Sequence, residues 1–261
     1  MSALANFIHK QRESRQVLAM THVIYGYPSV AESLEVMEGL LEAGAEILEV
    51  QFPFSDPVAD GPAIVSACHH ALTQSVSVSE CLHSMKELSE RYPNSRILLM
   101  SYLNPMYRYG LTTLVKDAAQ SGISGLIIPD LPYEQAKDYR EACAEQGVEP
   151  IWLVTPATPP ERLAFLASQS SGLLYCVSRS GVTGQTSQVK DESVAGYLEQ
   201  IRAHTQTPLA LGFGLREPEQ VQALTNKAEI AIVGSALLEA FNQGGKSAVV
   251  DKYKSLFHPQ G

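Results

Sequence analysis

The feature that most limits what this chain can fold into is its rhythm. Short apolar runs alternate with amphipathic helical stretches from one end to the other. Eight of the runs, at 17–25, 47–52, 96–103, 125–130, 149–154, 172–178, 208–213 and 229–234, read as strands. Their centres lie roughly 20 to 50 residues apart, which leaves room for one crossover helix each and sometimes two. Such alternation builds a parallel sheet covered by helices. Eight units in 261 residues favour closure into a barrel over an open, doubly wound sheet.

Helix boundaries are marked as clearly. Ser29-Val30-Ala31-Glu32, Ser77-Val78-Ser79-Glu80 and Thr158-Pro159-Pro160-Glu161 each have the form of a capping box. In the third, a proline also falls at the first helical position. Gly44, Gly122 and Gly147 stand where helices should stop. No linker, charge block or low-complexity segment divides the chain. The expectation is an α/β protein, a (β/α)8 TIM barrel forming one domain over residues 1–261. It has an extra N-terminal helix near 2–12 as a plug and an added helix near 73–92 before strand three.

Charge and composition remove several function classes. With 19 Lys and Arg against 28 Asp and Glu, the formal net charge is -9, which disfavours nucleic acid or an anionic membrane as a partner. An anionic substrate is still possible, because backbone amides can bind phosphate without net positive charge. Cys68, Cys81, Cys143 and Cys176 are far apart with no CxxC pattern, so they read as buried free thiols. The start, MSALANFIHKQRESRQ, has no apolar run of signal-peptide length, and nowhere is there a run long enough to span a membrane. A cytoplasmic protein is expected. His22 and the His69-His70 pair form no HxH or HxxxH pattern with carboxylates, so no metal site is expected. Neither a dinucleotide fingerprint nor a Walker loop occurs.

In barrels of this kind the chemistry sits at the C-terminal ends of the strands. That rule selects Glu49 and Asp60 around the second loop, Tyr102 and Asn104 after strand three, Asp130 after strand four, then Thr155 and Tyr175. Strand alternation places Ile47, Glu49 and Gln51 on one face. If that face looks inward, Glu49 is a desolvated carboxyl, the setting of a group that both gives and takes a proton. The lesser alternative is a buried acid paired with an Arg or Lys of a neighbouring strand, and basic residues are scarce in the strands. Asp60 precedes Gly61-Pro62 and could be a helix N-cap or a catalyst. Tyr175, within LLYCVS, could be simply a packed aromatic. Three glycine-bearing turns, 178–184, 212–214 and 234–235, gather in the last quarter of the barrel and suit a phosphate.

Glu49 followed by PFSDPVADGP, then YLNPMYRYG, IIPDLP, SRSGVTG, GFG and GSA in that order resembles the alpha subunit of tryptophan synthase over nearly the whole chain. The resemblance implies a retro-aldol cleavage of indole-3-glycerol phosphate to indole and glyceraldehyde 3-phosphate, with no cofactor in this subunit. Glu49 matches the acid/base, Asp60 the carboxylate at the indole N–H, and Tyr175 a pocket tyrosine. Gly184, Gly214, Gly234 and Ser235 match phosphate-binding positions. Arg179, Gly181 and Thr183 match a loop that closes over the ligand. A beta subunit carrying pyridoxal phosphate is the implied partner, in an α2β2 assembly. Pro53, Asp56, Pro57, Asn104 and Asp130 match its docking surface. A free-standing lyase releasing indole and a non-catalytic activator of a beta subunit are the alternatives.

The chain departs from that pattern in two places. His22 stands where the family usually has an apolar aromatic, and Tyr27 where it has an aspartate. Gln51 and Phe52 replace a glycine and an Ile or Val. These changes fall on the pocket and near the docking loops.

Overall fold

The computed structural model describes residues 2–177, 191–212 and 214–258. Eight parallel strands close into a barrel in chain order: β1 (Leu18–Ile24), β2 (Ile47–Gln51), β3 (Arg96–Met100), β4 (Ile123–Ile127), β5 (Glu149–Val154), β6 (Leu174–Val177), β7 (Leu209–Gly212) and β8 (Ile230–Val233). Closure is made by β8 on β1, with Leu18 opposite Ile230 and Met20 opposite Ile232.

Around the barrel run α2 (Val30–Glu42), α3 (Pro62–Leu72), α4 (Val78–Arg91), α5 (Leu103–Tyr109), α6 (Leu111–Gln120), α7 (Lys137–Gln146), α8 (Pro160–Gln169), α9 (Asp191–Arg202), α10 (Pro218–Gln222) and α11 (Ser235–Phe257). α1 (Ala3–Gln11) precedes the first strand. The extra N-terminal helix and the added helix before strand three are therefore both present. Ser2 caps α1 by accepting from Ala5 N, and Ser77 with Glu80 forms the complete capping box of α4.

Strand parity divides the apolar residues into two layers. Leu18, Met20, Ile47, Leu98, Ile127, Ile151, Ala210 and Ile230 fill the barrel interior, and Leu4, Phe7 and Ile8 of α1 join them. α1 thus stops the N-terminal end of the barrel. Ala19, Leu48, Val50, Leu99, Leu126, Trp152 and Leu211 point the other way into the helical layer. At that end Glu229 receives Arg12 and Arg202 and accepts from Leu209 N, tying β7 and β8 to the flanking helices. All four cysteines are free and buried.

Three local expectations need correction. The strand expected at 96–103 ends at Met100, because Tyr102 becomes the N-cap of α5 and Leu103 opens that helix. The strand expected at 125–130 begins at Ile123, right after Gly122 (φ +72°) ends the preceding helix. Residues beyond Ile127 turn instead, and Asp130 Oδ1 accepts from Leu103 N at 2.7 Å. Thr158 does not cap α8; Pro159 holds that position, and the Thr158 hydroxyl accepts from Thr155 N within the turn.

Candidate active site

Glu49 belongs to the inward face of β2: its neighbour Ile47 lies in the interior cluster, whereas Leu48 and Val50 lie in the outer layer. It is 1% exposed at the mouth side of the barrel. Directly across the β1–β2 register stands His22, whose Nδ1 is 3.3 Å from Glu49 Oε2. The basic partner considered for Glu49 is an Arg or Lys of a neighbouring strand, and the structure puts a histidine there instead. The base is a histidine on the adjacent strand, and His22, expected to be an ordinary core or surface histidine, is part of the site. Burial alone would lower the His22 pKa, but the charge of Glu49, its contact and the charge of Asp60 outweigh that and raise it above the ordinary value.

Asp60 also turns inward. Gly61, not Asp60, takes the N-cap position of α3. The Asp60 carboxylate accepts from Gln51 Nε2 at 2.8 Å and from Tyr102 OH at 2.9 Å. Burial pushes its pKa up, opposed by His22, Gln51 and Tyr102. The Tyr102 hydroxyl in turn accepts from Ala59 N at 3.0 Å, which pins the end of the loop. Phe54 packs its ring against Tyr102 with centroids 5.5 Å apart. Gln51 follows Glu49 on the same face and is fully buried, so one strand brings a carboxylate and the donor that steadies a second one.

Tyr175 faces inward from β6 and packs against the interior cluster. Its ring lies beside Gly212, where an added Cβ would come within 3.4 Å of Cε1 and 3.5 Å of the hydroxyl. Burial, then the charges of Glu49 and Asp60, push its pKa well up, so it stays a neutral hydroxyl. Of the expected phosphate residues, Gly214 has φ +68°, a conformation only glycine adopts freely. Gly234 caps α11 and Ser235 is its first residue, so first-turn N–H groups of that helix point toward the mouth. Gly184 and the loop residues Arg179, Gly181 and Thr183 lie outside the described residues.

Among the expected docking residues, Asp56, Asn104 and Asp130 are exposed, while Pro53 and Pro57 are buried and shape their loop. Two large apolar side chains on the same rim, Val58 at 79% and Tyr107 at 71%, are open to solvent. No helix among the described residues is long and apolar enough to cross a membrane.

A parallel eight-stranded barrel with two buried carboxylates at its mouth, a histidine and a tyrosine in contact with them, and a helix N-terminus packed on that histidine is the architecture of a barrel enzyme for acid/base chemistry on an anionic substrate. Residues 7–258 match the family described as tryptophan synthase alpha chain. The tryptophan synthase alpha chain of Desulforapulum autotrophicum is 39% identical over 246 residues, covering 94% of this chain and 96% of that one. That of Syntrophotalea carbinolica is 37% identical over 253 residues, covering 97% and 99%. A structure of Mycobacterium tuberculosis tryptophan synthase superposes with a TM-score of 0.90 at 34% identity, covering 99% of this chain and 98% of that one. The chain belongs to the tryptophan synthase alpha chain family and is a lyase acting on indole-3-glycerol phosphate.

Proposed function

We propose that this chain cleaves indole-3-glycerol phosphate with Glu49 as the shuttling acid/base and Asp60 as the carboxylate at the indole nitrogen. The observation that carries the assignment is the inward placement of both carboxylates at one end of the barrel, with Gln51 and Tyr102 holding Asp60.

The reaction breaks the carbon–carbon bond between the indole ring and the glycerol chain. Glu49 protonates the indole carbon, and positive charge spreads to the ring nitrogen, whose N–H faces Asp60. The bond then breaks with its electron pair returning to the ring. The adjacent glycerol hydroxyl gives its proton back to Glu49 and becomes the aldehyde. Protons balance, and Glu49 ends as it began. Residues Gly184, Gly214, Gly234 and Ser235 hold the phosphate through backbone amides and the α11 N-terminus. Tyr175 keeps a neutral hydroxyl beside the reacting groups.

The partner is a beta subunit that uses pyridoxal phosphate to join indole to serine, in an α2β2 assembly in the cytoplasm. This chain itself uses no cofactor. A related tryptophan synthase complex from Pyrococcus furiosus, 29% identical with a TM-score of 0.82, supports a partnered state. So does the exposed apolar pair Val58 and Tyr107 beside Asp56 and Asn104. The test is indole release from indole-3-glycerol phosphate with and without a beta subunit. Stimulation by the partner is expected. High activity unchanged by any beta subunit would favour a free-standing lyase.

A further inference from the structure

His22 is the base on the wall of this site, and its ring is held on two sides. The Cβ–Cγ–Cδ2 edge rests on Gly234: a Cβ added there would meet those atoms at 3.2 to 3.3 Å. The Nδ1 edge faces Glu49. That leaves Nε2 at the tip of the ring. The side chain is only 9% exposed, and among the described residues Nε2 has no hydrogen-bond partner. An unsatisfied buried donor is costly, so an atom in this state calls for a ligand.

Two neighbouring atoms share the condition. Glu49 Oε2, which lies 3.3 Å from His22 Nδ1, and Gln51 Oε1, the amide oxygen on the imidazole side, likewise form no well-aligned hydrogen bond among the described residues. All three belong to adjacent inward positions on β1 and β2. The imidazole therefore lies between the carboxylate that moves protons and the turn that begins α11.

We propose that His22 is a substrate-binding residue whose Nε2 donates to a hydroxyl of the glycerol chain, between the reacting carbon and the phosphate held at Gly234. The other nitrogen keeps its place on Glu49, so the imidazole sets the register between chain and acid/base. Both nitrogens donate when the ring is cationic beside Glu49. An apolar ring at this position could pack against the chain but could not supply the donor.

This rests on the lyase reading, and the two can fail separately. Glutamine and asparagine each preserve one half of the imidazole: the Gln amide reaches the Nε2 position and the Asn amide the Nδ1 position. The experiment measures kcat and KM for indole-3-glycerol phosphate in wild type, His22→Phe, His22→Gln and His22→Asn. It adds calorimetric binding of glycerol 3-phosphate and of inorganic phosphate, and thermal melting of each variant.

His22→Phe is expected to raise KM and weaken glycerol 3-phosphate about tenfold or more, as loss of a charge-assisted hydrogen bond should. Inorganic phosphate affinity should stay within twofold. His22→Gln should recover most of the KM loss, and His22→Asn should not. KM and glycerol 3-phosphate affinity unchanged in His22→Phe would overturn the proposal. So would rescue by Asn rather than Gln, or an equal loss of inorganic phosphate. Should His22→Phe fail to fold, the Gln and Asn variants still decide between the two nitrogens. If wild type released no indole at all, the lyase reading itself would fall.

Discussion

His22 and Glu49 stand opposite each other across the β1–β2 register, with Nδ1 3.3 Å from Oε2 and both side chains buried. A carboxylate out of water is costly when isolated and far less so beside a cation. The pair therefore gives a buried titratable acid a partner at the mouth side of the barrel, whichever of the two holds the shared proton. Gln51 extends the arrangement to Asp60, so the two carboxylates belong to one connected group.

Glu49→Gln should lower kcat by about 10²-fold or more, the scale of a positioned general acid/base, and should lower the melting temperature as well, because His22 loses the partner that faces it, with the fold retained. Glutamine keeps the shape and loses the proton transfer. Indole release with far-ultraviolet circular dichroism checks both halves, and near-normal turnover in a folded variant would remove Glu49 from its role.

His22 should make stability depend on pH. Its pKa is raised in the fold, with Glu49 and Asp60 as the charged groups facing it. A raised folded pKa means the stabilisation is fully present below the unfolded value, about 6.5, and fades as pH rises through the folded value. The melting-temperature deficit of His22→Phe relative to wild type should thus be larger at pH 6 than at pH 9. A deficit equal at both pH values would mean the ring contributes packing alone.

The barrel was legible because period-2 runs, capping boxes and helix-ending glycines all pointed the same way. Glu49 was legible because a carboxylate inside an apolar strand is conspicuous, and parity alone gave the face it shares with Ile47 and Gln51. His22 was not. It occupies an inward position two residues past Met20, but pairing it with Glu49 needs the register between strands, which one strand's sequence does not contain. Gln51 and Tyr102 were missed as Asp60 partners for the same reason: those bonds span 9 and 42 residues. Asp60 itself stayed ambiguous because a helix N-cap and an inward carboxylate both suit Asp-Gly-Pro.

Tyr102→Phe should move the acid limb of kcat/KM to higher pH. Burial already raises the Asp60 pKa, and the Tyr102 hydroxyl at 2.9 Å is one of the groups opposing that shift. Without it the carboxyl holds its proton to higher pH. A hydrogen bond to a charged group is worth about 1.5–3 kcal/mol, which corresponds to a displacement of roughly one to two pH units. The pH–rate profile of the two proteins side by side measures it; superimposable limbs would show that Asp60 ionisation does not limit the reaction.

Tyr107→Ala and Val58→Lys should weaken association with a beta subunit about tenfold or more each, leaving indole release by the isolated chain within about twofold. Both side chains are largely exposed on the mouth-side rim, and solvent-facing aromatics are frequent anchors of binding energy. Sedimentation or calorimetry with a beta subunit reads the affinity. Unchanged binding in both variants would place the interface elsewhere.

Gly234→Ala should act through His22. The φ of Gly234 (-124°) lies outside the left-handed region, so the first thing an alanine there meets is its neighbour rather than a left-handed backbone. The added methyl lies 3.2 Å from His22 Cβ and 3.3 Å from Cγ and Cδ2. The ring must shift by a few tenths of an ångström, which disturbs its contact with Glu49 and displaces Nε2. KM should rise even though no side chain that touches phosphate has been removed. Residues in contact depart from additivity by about 0.5–3 kcal/mol, so the cost of Gly234→Ala should shrink in a His22→Ala background, where most of the opposing ring is gone. A double-mutant cycle on kcat/KM measures this, and strictly additive effects would show that the alanine acts on the phosphate turn alone.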